Sequence, residues 1–146
     1  MSGRVTSLLF VCDQNSLRSP MAEAIAKADH GERIFIDSAG VREGALDGMS
    51  VAALAEIGVD LSRHQPKRLA ELMDTSFDVI VTLSLEAHHL VLDMTRADAA
   101  RVVYWPTPDP SAVEGSRELR LAAYRELRDT LRTMIEDLLI GEEQNE

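Results

Sequence analysis

The sequence predicts an α/β fold, a three-layer sandwich in which a four-stranded parallel sheet is covered by helices on both faces. Short apolar, β-prone segments alternate along the chain with amphipathic stretches that have the length of helices. One segment, residues 77–83, is apolar enough to be buried on both faces, as a central parallel strand is. Because a chain of 146 residues usually forms one hydrophobic core, we expect a single domain over residues 1–146.

The first half of the chain contains two predicted strands and two predicted helices. Residues 5–11 and 33–36 are apolar and β-prone and are predicted as strands. Pro20 marks the start of the first helix, because proline is tolerated at the first helical position. Ser50 is predicted to cap the second helix. The apolar residues of the first helix recur at helical spacing: Met21, Ala24, Ile25 and Ala28.

The second half of the chain continues the alternation. Residues 69–73 are predicted as a short helical turn, and the strand at residues 77–83 follows. Ser84 is predicted to cap a helix that extends to about Met94, and residues 101–104 are predicted as the fourth strand. In a parallel sheet of this kind, ligands bind at the carboxyl ends of the strands.

A long amphipathic helix completes the predicted fold. Ser116 is predicted to open it, and its apolar face contains Leu121, Tyr124, Leu127, Leu131, Ile135 and Leu138. Residues 141–146 are polar and acidic and are predicted to form a flexible tail.

The composition and net charge of the chain disfavour some classes of binding partner. With 15 basic and 25 acidic residues, the chain has a formal charge of −10, which repels nucleic acid and anionic membrane surfaces at long range. No apolar run has the length of a membrane span, and the apolar stretch near the N-terminus is too short for a signal peptide, so we expect a cytoplasmic protein. The four histidines show no metal-ligand spacing, so we expect no metal.

The segment VCDQNSLRSP, residues 11–20, is predicted to bind an oxyanion. It joins a buried strand to a helix N-terminus, where free backbone N–H groups and the helix dipole favour an anion. Arg18 adds a guanidinium whose paired donors match the oxygens of a tetrahedral oxyanion. The residues predicted to form this loop are Asp13, Gln14, Asn15, Ser16, Leu17, Arg18 and Ser19.

Cys12 is the single cysteine of the chain, so it forms no internal disulfide. One interpretation is a buried small hydrophobic residue at the end of a strand. The spacing Cys12, five residues, Arg18, Ser19 favours the other interpretation, a nucleophile whose thiolate is stabilised by the same loop. In that interpretation Ser19 could donate a hydrogen bond to the sulfur.

Asp109 is the candidate general acid, because a nucleophile that attacks phosphorus needs its leaving oxygen protonated. It follows the fourth strand directly, in the proline-rich segment WPTPDP that restricts the backbone. The alternative is an Asp-Pro turn without a chemical role.

These motifs resemble the low-molecular-weight protein tyrosine phosphatase superfamily, which also contains thioredoxin-type arsenate reductases. The resemblance covers nearly the whole chain and is carried by residues 11–24, 37–40, 58–64 and 109–110. It implies a four-stranded parallel sheet with strand order 2-1-3-4 and a two-step reaction. In that reaction Cys12 forms a phosphocysteine, Asp109 first protonates the leaving group and then assists water, and Arg18 stabilises the transition state. It implies no metal and no organic cofactor.

The loop and its surroundings depart from the family pattern. Gln14 stands where family loops usually have glycine. Tyrosine phosphatases commonly offer an apolar or aromatic wall to the substrate. Here Asp13 and Ser16 are polar, residues 44–49 contain no aromatic residue, and residues 111–112 are Ser and Ala. Trp105 is close in sequence, and either a core role or stacking on substrate is possible for it. Ser84 stands where the thioredoxin-type reductases have the first relay cysteine.

Three functions follow as hypotheses. The first is hydrolysis of phosphomonoesters, with protein phosphotyrosine as the family's usual substrate and a small phosphoester as the alternative. The second is arsenate reduction, which would need an external small thiol because the chain has no second cysteine. The third is a non-catalytic module that binds an oxyanion or a phosphoprotein.

Overall fold

The computed structural model describes residues 4–72, 75–95 and 100–144, and in that part of the chain strands and helices alternate. The strands are β1 (Ser7–Cys12), β2 (Phe35–Gly40), β3 (Val79–Thr82) and β4 (Arg101–Tyr104). The α-helices are α1 (Arg18–His30), α2 (Gly48–Ala55), α3 (Leu85–Thr95) and α4 (Arg117–Gln144). Short 3₁₀ turns occur at Leu69–Leu72 and Pro110–Ala112.

The four strands form one parallel sheet in the order β2-β1-β3-β4. Both the predicted fold class and the predicted strand order are confirmed. The register places Cys12, the last residue of β1, opposite Gly40, the last residue of β2. On the other side of β1, Val11 lies opposite Thr82 of β3. The segments that follow β1, β2 and β3 therefore all begin at the same edge of the sheet.

The two faces of the sheet are covered by different helices, as the alternation along β1 shows. Its residues Leu8, Phe10 and Cys12 belong to a large core that contains apolar residues of α1, α2 and α4. Leu9 and Val11 point to the other face and pack in a smaller core with α3. Cys12 therefore faces the side of the sheet on which α1 lies.

Two predicted helix starts differ from the structure. α2 begins at Gly48, and Asp47 caps it by accepting hydrogen bonds from the backbone N–H groups of Met49 and Ser50, so the prediction that Ser50 is the cap is wrong. α1 begins at Arg18 and has Pro20 as its third residue. Proline is accepted there because the first N–H groups of a helix have no intrahelical partner.

The predicted tail begins too early. α4 continues through residues 141–144, because glutamate and glutamine favour helix and a single glycine does not end a helix that is packed on the core. Residues 145 and 146 lie outside the described residues, as does residue 73 of the predicted turn. No helix in the described ranges is long and apolar enough to cross a membrane.

Candidate active site

The loop after β1 is held by its carbonyl groups. The carbonyl oxygens of Cys12, Asp13 and Gln14 accept hydrogen bonds from backbone N–H groups within residues 41–44, at 2.9 to 3.0 Å. The carbonyl oxygen of Ser16 accepts from the N–H of Asp47 at 2.9 Å. No backbone N–H of residues 13–17 donates to another described backbone group. The loop therefore has donors available for an anion, which is what an oxyanion site needs.

Asn15 gives the loop its shape. Its backbone has a φ of 54°, the one positive φ among the described residues other than glycine, and its side chain is fully buried. The side-chain oxygen accepts from the backbone N–H of Lys67 at 3.0 Å and from His64 Nε2 at 2.9 Å. The side-chain nitrogen donates to the hydroxyls of Ser19 and Ser38, both at 2.9 Å. Every hydrogen-bonding position of the amide is used.

The hydroxyl of Ser19 lies 2.9 Å from the sulfur of Cys12. Because this hydroxyl accepts a hydrogen bond from Asn15, its own hydrogen is available to the sulfur, with the carbonyl of Ala39 as a longer contact at 3.4 Å. Both side chains are buried, Cys12 with 3% of its surface exposed. The arrangement can stabilise a negative charge on the sulfur.

A second layer of polar side chains supports Asn15. Ser38 donates to Glu23 Oε1 at 2.5 Å, and Glu23 also pairs with Lys27 at 2.6 Å. His64 lies 3.7 Å from the same carboxylate. Burial lowers the pKa of His64 below its ordinary value of 6.5, although the Glu23 carboxylate opposes that shift.

Arg18 is the only cation that lines the cavity in front of Cys12, within the described part of the chain. Its guanidinium donates to the carbonyl oxygen of Thr107 at 2.8 Å and more weakly to that of Leu83 at 3.4 Å. These contacts tie the loop after β1 to the segments that follow β3 and β4. They also hold an otherwise flexible side chain at the cavity.

The cavity has a volume of about 360 Å³ and contains the predicted residues Cys12, Arg18 and Asp109 in its wall. Its described lining consists of Cys12, Asp13, Gln14, Ser16, Leu17, Arg18, Ala45, Asp47, Asp109 and Ser111. Ser19 and Asn15 are buried and are not part of that lining. The structure thus separates the predicted loop residues into those that face the cavity and those that support it.

Asp109 is held in position at the start of a 3₁₀ turn. Its Oδ1 accepts hydrogen bonds from the backbone N–H of Ser111 at 2.9 Å and from the hydroxyl of Ser111 at 2.6 Å. Both bonds end on the same oxygen, so Oδ2 is not occupied by either of them. A carboxyl group held in this way can present one oxygen to a ligand in the cavity.

Asp13, the residue after Cys12, also has fixed contacts. The hydroxyl of Ser84 donates to Asp13 Oδ1 at 2.5 Å, and Asp13 Oδ2 lies 3.6 Å from Arg18 Nη2. Ser84 caps α3 at the same time, since its hydroxyl accepts from the N–H of Ala87. Ser84 therefore fixes the Asp13 carboxylate while it caps α3.

Gln14 is accommodated without a positive φ, and glycines across from the loop make room for it. A Cβ atom on Gly44 would lie 2.5 Å from Gln14 Oε1 and 3.1 Å from Gln14 Cβ. A Cβ atom on Gly40 would lie 2.6 Å from the backbone N of Asn15 and 2.5 Å from the backbone O of Arg42. At Gly40 the obstacle is backbone, which cannot move aside.

Trp105 belongs to the core and does not line the cavity. It is 9% exposed and packs against Phe10, with ring centroids 6.4 Å apart. No aromatic residue is among the described residues that line the cavity. In the same part of the chain, no group of three His, Cys, Asp or Glu side chains could hold a metal ion.

Several residues of the site had no role in the sequence analysis. Asp47 lines the cavity, caps α2 and accepts a hydrogen bond from the hydroxyl of Tyr124 at 2.8 Å. Burial, with the neighbouring Asp47 carboxylate, raises the pKa of Tyr124. Ser38 and His64 lie inside motifs that carry the family resemblance, and only the three-dimensional contact with Asn15 shows what they do.

Comparison with known proteins shows what the chain is similar to. Residues 7–145 match the family model described as low molecular weight phosphotyrosine protein phosphatase. The chain is 32% identical to an arsenate reductase of Halalkalibacterium halodurans and 31% identical to one of Bacillus subtilis, each over 85% of this chain and 88% of the relative. The crystal structure of a low molecular weight protein tyrosine phosphatase from T. tengcongensis superimposes with a TM-score of 0.79 at 24% identity, over 93% of this chain and 99% of that chain.

Gly40→Ala should destabilise the protein by about 1–3 kcal/mol, because the added methyl group would press against fixed backbone of the loop. Gly48→Ala is the matched control: it lies at the start of α2 with no heavy atom within 4 Å of the added group. The control should change stability by less than about 1 kcal/mol, in the stabilising direction. Urea unfolding of both variants checks this, and equal stabilities would contradict it.

The lowered pKa of His64 predicts a loss of stability on acidification. As the pH falls through 6.5, the unfolded chain takes up a proton at His64 before the folded protein does, so unfolding becomes more favourable. His64→Gln should remove this part of the pH dependence between pH 7.5 and 5.5, whereas His89→Gln on the exposed face of α3 should retain it. Urea unfolding across that range is the measurement. A wild-type slope in the His64 variant would contradict the prediction.

Proposed function

This chain belongs to the low molecular weight phosphotyrosine protein phosphatase family, and on that premise we propose that it hydrolyses phosphomonoesters through a phosphocysteine intermediate. One observation carries the proposal: Cys12 and Arg18, at the two ends of the loop after β1, and Asp109, from the segment after β4, line the same cavity. Protein phosphotyrosine or a small phosphoester is the substrate, and the reaction takes place without a metal or an organic cofactor.

In the first step the thiolate of Cys12 attacks phosphorus, and an S–P bond forms while the P–O bond to the leaving group breaks. Asp109, in its protonated form, transfers its proton to the leaving oxygen so that an alcohol departs. The phosphoryl oxygens lie against the backbone N–H groups of residues 13–17, which have no other described backbone partner. Arg18 neutralises the charge that develops on these oxygens.

In the second step a water molecule hydrolyses the phosphocysteine. Asp109, now a carboxylate, removes a proton from the water, the S–P bond breaks, and inorganic phosphate leaves with the thiolate restored. The hydroxyl of Ser19, 2.9 Å from the sulfur, stabilises the thiolate as a leaving group. Asn15 acts through Ser19 and is therefore a positioning residue.

Arsenate reduction by an external thiol is the second candidate, favoured by the two curated relatives named arsenate reductases. Cys12 would attack arsenate and release water, forming an S–As bond. A small thiol would then attack the sulfur, so that arsenic leaves as arsenite with the two electrons of the S–As bond and a mixed disulfide remains. A second thiol would restore Cys12 and release the small disulfide. An internal relay is ruled out, because the chain has one cysteine.

Cys12→Ser should abolish hydrolysis of an aryl phosphate, because serine in this loop lacks the activated thiolate. Asp109→Asn should reduce kcat by roughly 10²–10⁴-fold for substrates with poor leaving groups and much less for 4-nitrophenyl phosphate, which leaves without protonation. Asp137→Asn, an exposed position on α4, is the matched control with the same change of charge. Steady-state kinetics of the four proteins tests the proposal. Tight phosphate binding without turnover by the wild type would instead indicate a binding module.

Arsenite release distinguishes the second candidate. If the chain is a reductase, arsenate with glutathione or mycothiol should yield arsenite at a rate that depends on Cys12 and on the concentration of the added thiol. Ser84→Ala should leave that rate within a fewfold of the wild type, since no relay passes through this position. Arsenite formation equal in the wild type and in Cys12→Ser would exclude enzymatic reduction.

A further inference from the structure

The carboxylate of Asp13 is an unusual neighbour for a phosphoryl site. It directly follows Cys12, lines the cavity and is about one-third exposed. The backbone of the same loop supplies N–H donors to an anion, whereas this side chain presents a negative charge at the same place. The mechanism proposed above does not use it.

Asp13 is held in place from a distant part of the chain. Ser84, two residues after β3, donates to Oδ1 at 2.5 Å and is itself fixed by its capping bond to α3. The bond fixes Oδ1 beside the segment that follows β3, so the carboxylate cannot leave this position without breaking it. The carboxylate is therefore part of the cavity wall.

Asp13 also lies beside Arg18, the one cation among the described residues that line the cavity. Its Oδ2 lies 3.6 Å from Arg18 Nη2, so a phosphoryl group that binds Arg18 has this carboxylate beside it. Two further carboxylates, Asp47 and Asp109, line the same cavity and are held by Tyr124 and Ser111. These three carboxylates repel a leaving group that carries negative charge and attract one that carries positive charge.

Resting on the function proposed above, we infer that Asp13 is a specificity-determining residue that selects substrates with a positive charge close to the phosphoryl group. The substrate class is a phosphorylated group that bears an ammonium or guanidinium within reach of the cavity wall. The same carboxylate weakens binding of free inorganic phosphate. That anion binds the loop and Arg18, but it has no positively charged group that could interact with Asp13.

The selection can be tested with three aryl phosphates that differ mainly in the charge of the side group. They are 4-(aminomethyl)phenyl phosphate (cationic), 4-methylphenyl phosphate (neutral) and 4-(carboxymethyl)phenyl phosphate (anionic). For the wild type we expect kcat/KM to fall in that order, by roughly fivefold at each change of charge. Raising the salt concentration should compress the differences. Equal values for the cationic and neutral substrates in the wild type would overturn the inference without any variant.

Asp13→Asn assigns the preference to one side chain. It should reduce the cationic-to-neutral ratio by roughly fivefold, while Asp137→Asn, about 20 Å along α4 from Tyr124, should leave the ratio unchanged. Ser84→Ala keeps the charge and removes the hydrogen bond, so it should retain most of the preference. Loss of the preference in Ser84→Ala to the same extent as in Asp13→Asn would show that loop geometry, and not charge, is responsible.

Phosphate affinity separates this inference from the proposed function. Calorimetric titration with inorganic phosphate should give a Kd roughly fivefold lower for Asp13→Asn than for the wild type. If the wild type hydrolyses none of the three aryl phosphates, the proposed function fails, and the role of Asp13 is then decided by this titration alone. Equal phosphate affinities in the two proteins would overturn that role.

Discussion

Asn15 joins the segments that surround the candidate site. Its buried amide bonds to α1 through Ser19, to β2 through Ser38, and to the distant His64 and Lys67. An amide has two donor and two acceptor positions, so removing any partner leaves a buried polar group unpaired. The left-handed backbone at Asn15 is strained for a residue with a side chain, and it persists because these four partners surround it. The orientation of the Ser19 hydroxyl toward Cys12 depends on this arrangement.

The strand order makes those partners available. Because β1 lies between β2 and β3, the loop after β1 has the end of β2 on one side and the end of β3 on the other. Ser38 of β2 reaches Asn15, and Ser84, just after β3, reaches Asp13. The segment after β4 adds the Thr107 carbonyl to Arg18. The loop is thus supported from both flanking strands, and helix α1 continues directly from it.

Sequence reasoning succeeded where the signal is local. The spacing from Cys12 to Arg18 lies within one loop, and the alternation of segments predicted the sheet and its covering helices. It predicted Ser84 as a helix cap, which the structure confirms. It did not reveal the contact of Ser84 with Asp13 or that of His64 with Asn15, because these contacts span 71 and 49 residues and leave no periodic pattern in the sequence. The cap of α2 was misassigned for a related reason. Both Ser50 and Asp47 suit a cap, and the contact with Tyr124, 77 residues away, anchors Asp47 in that position.

The side chain of Gln14 fills the space beside the Cα atom of Gly44. A side chain at position 44 would collide with the Gln14 amide, and the Gln14 Cβ at 3.1 Å leaves little room for adjustment. In genetic terms the two positions are epistatic. A residue at 14 without the long amide side chain would remove the closer contact with position 44, whereas a side chain added at 44 in the present background has to displace the Gln14 amide. Mutant libraries of this region should therefore vary positions 14 and 44 together, because substitutions tested one at a time would miss pairs of residues that fit each other.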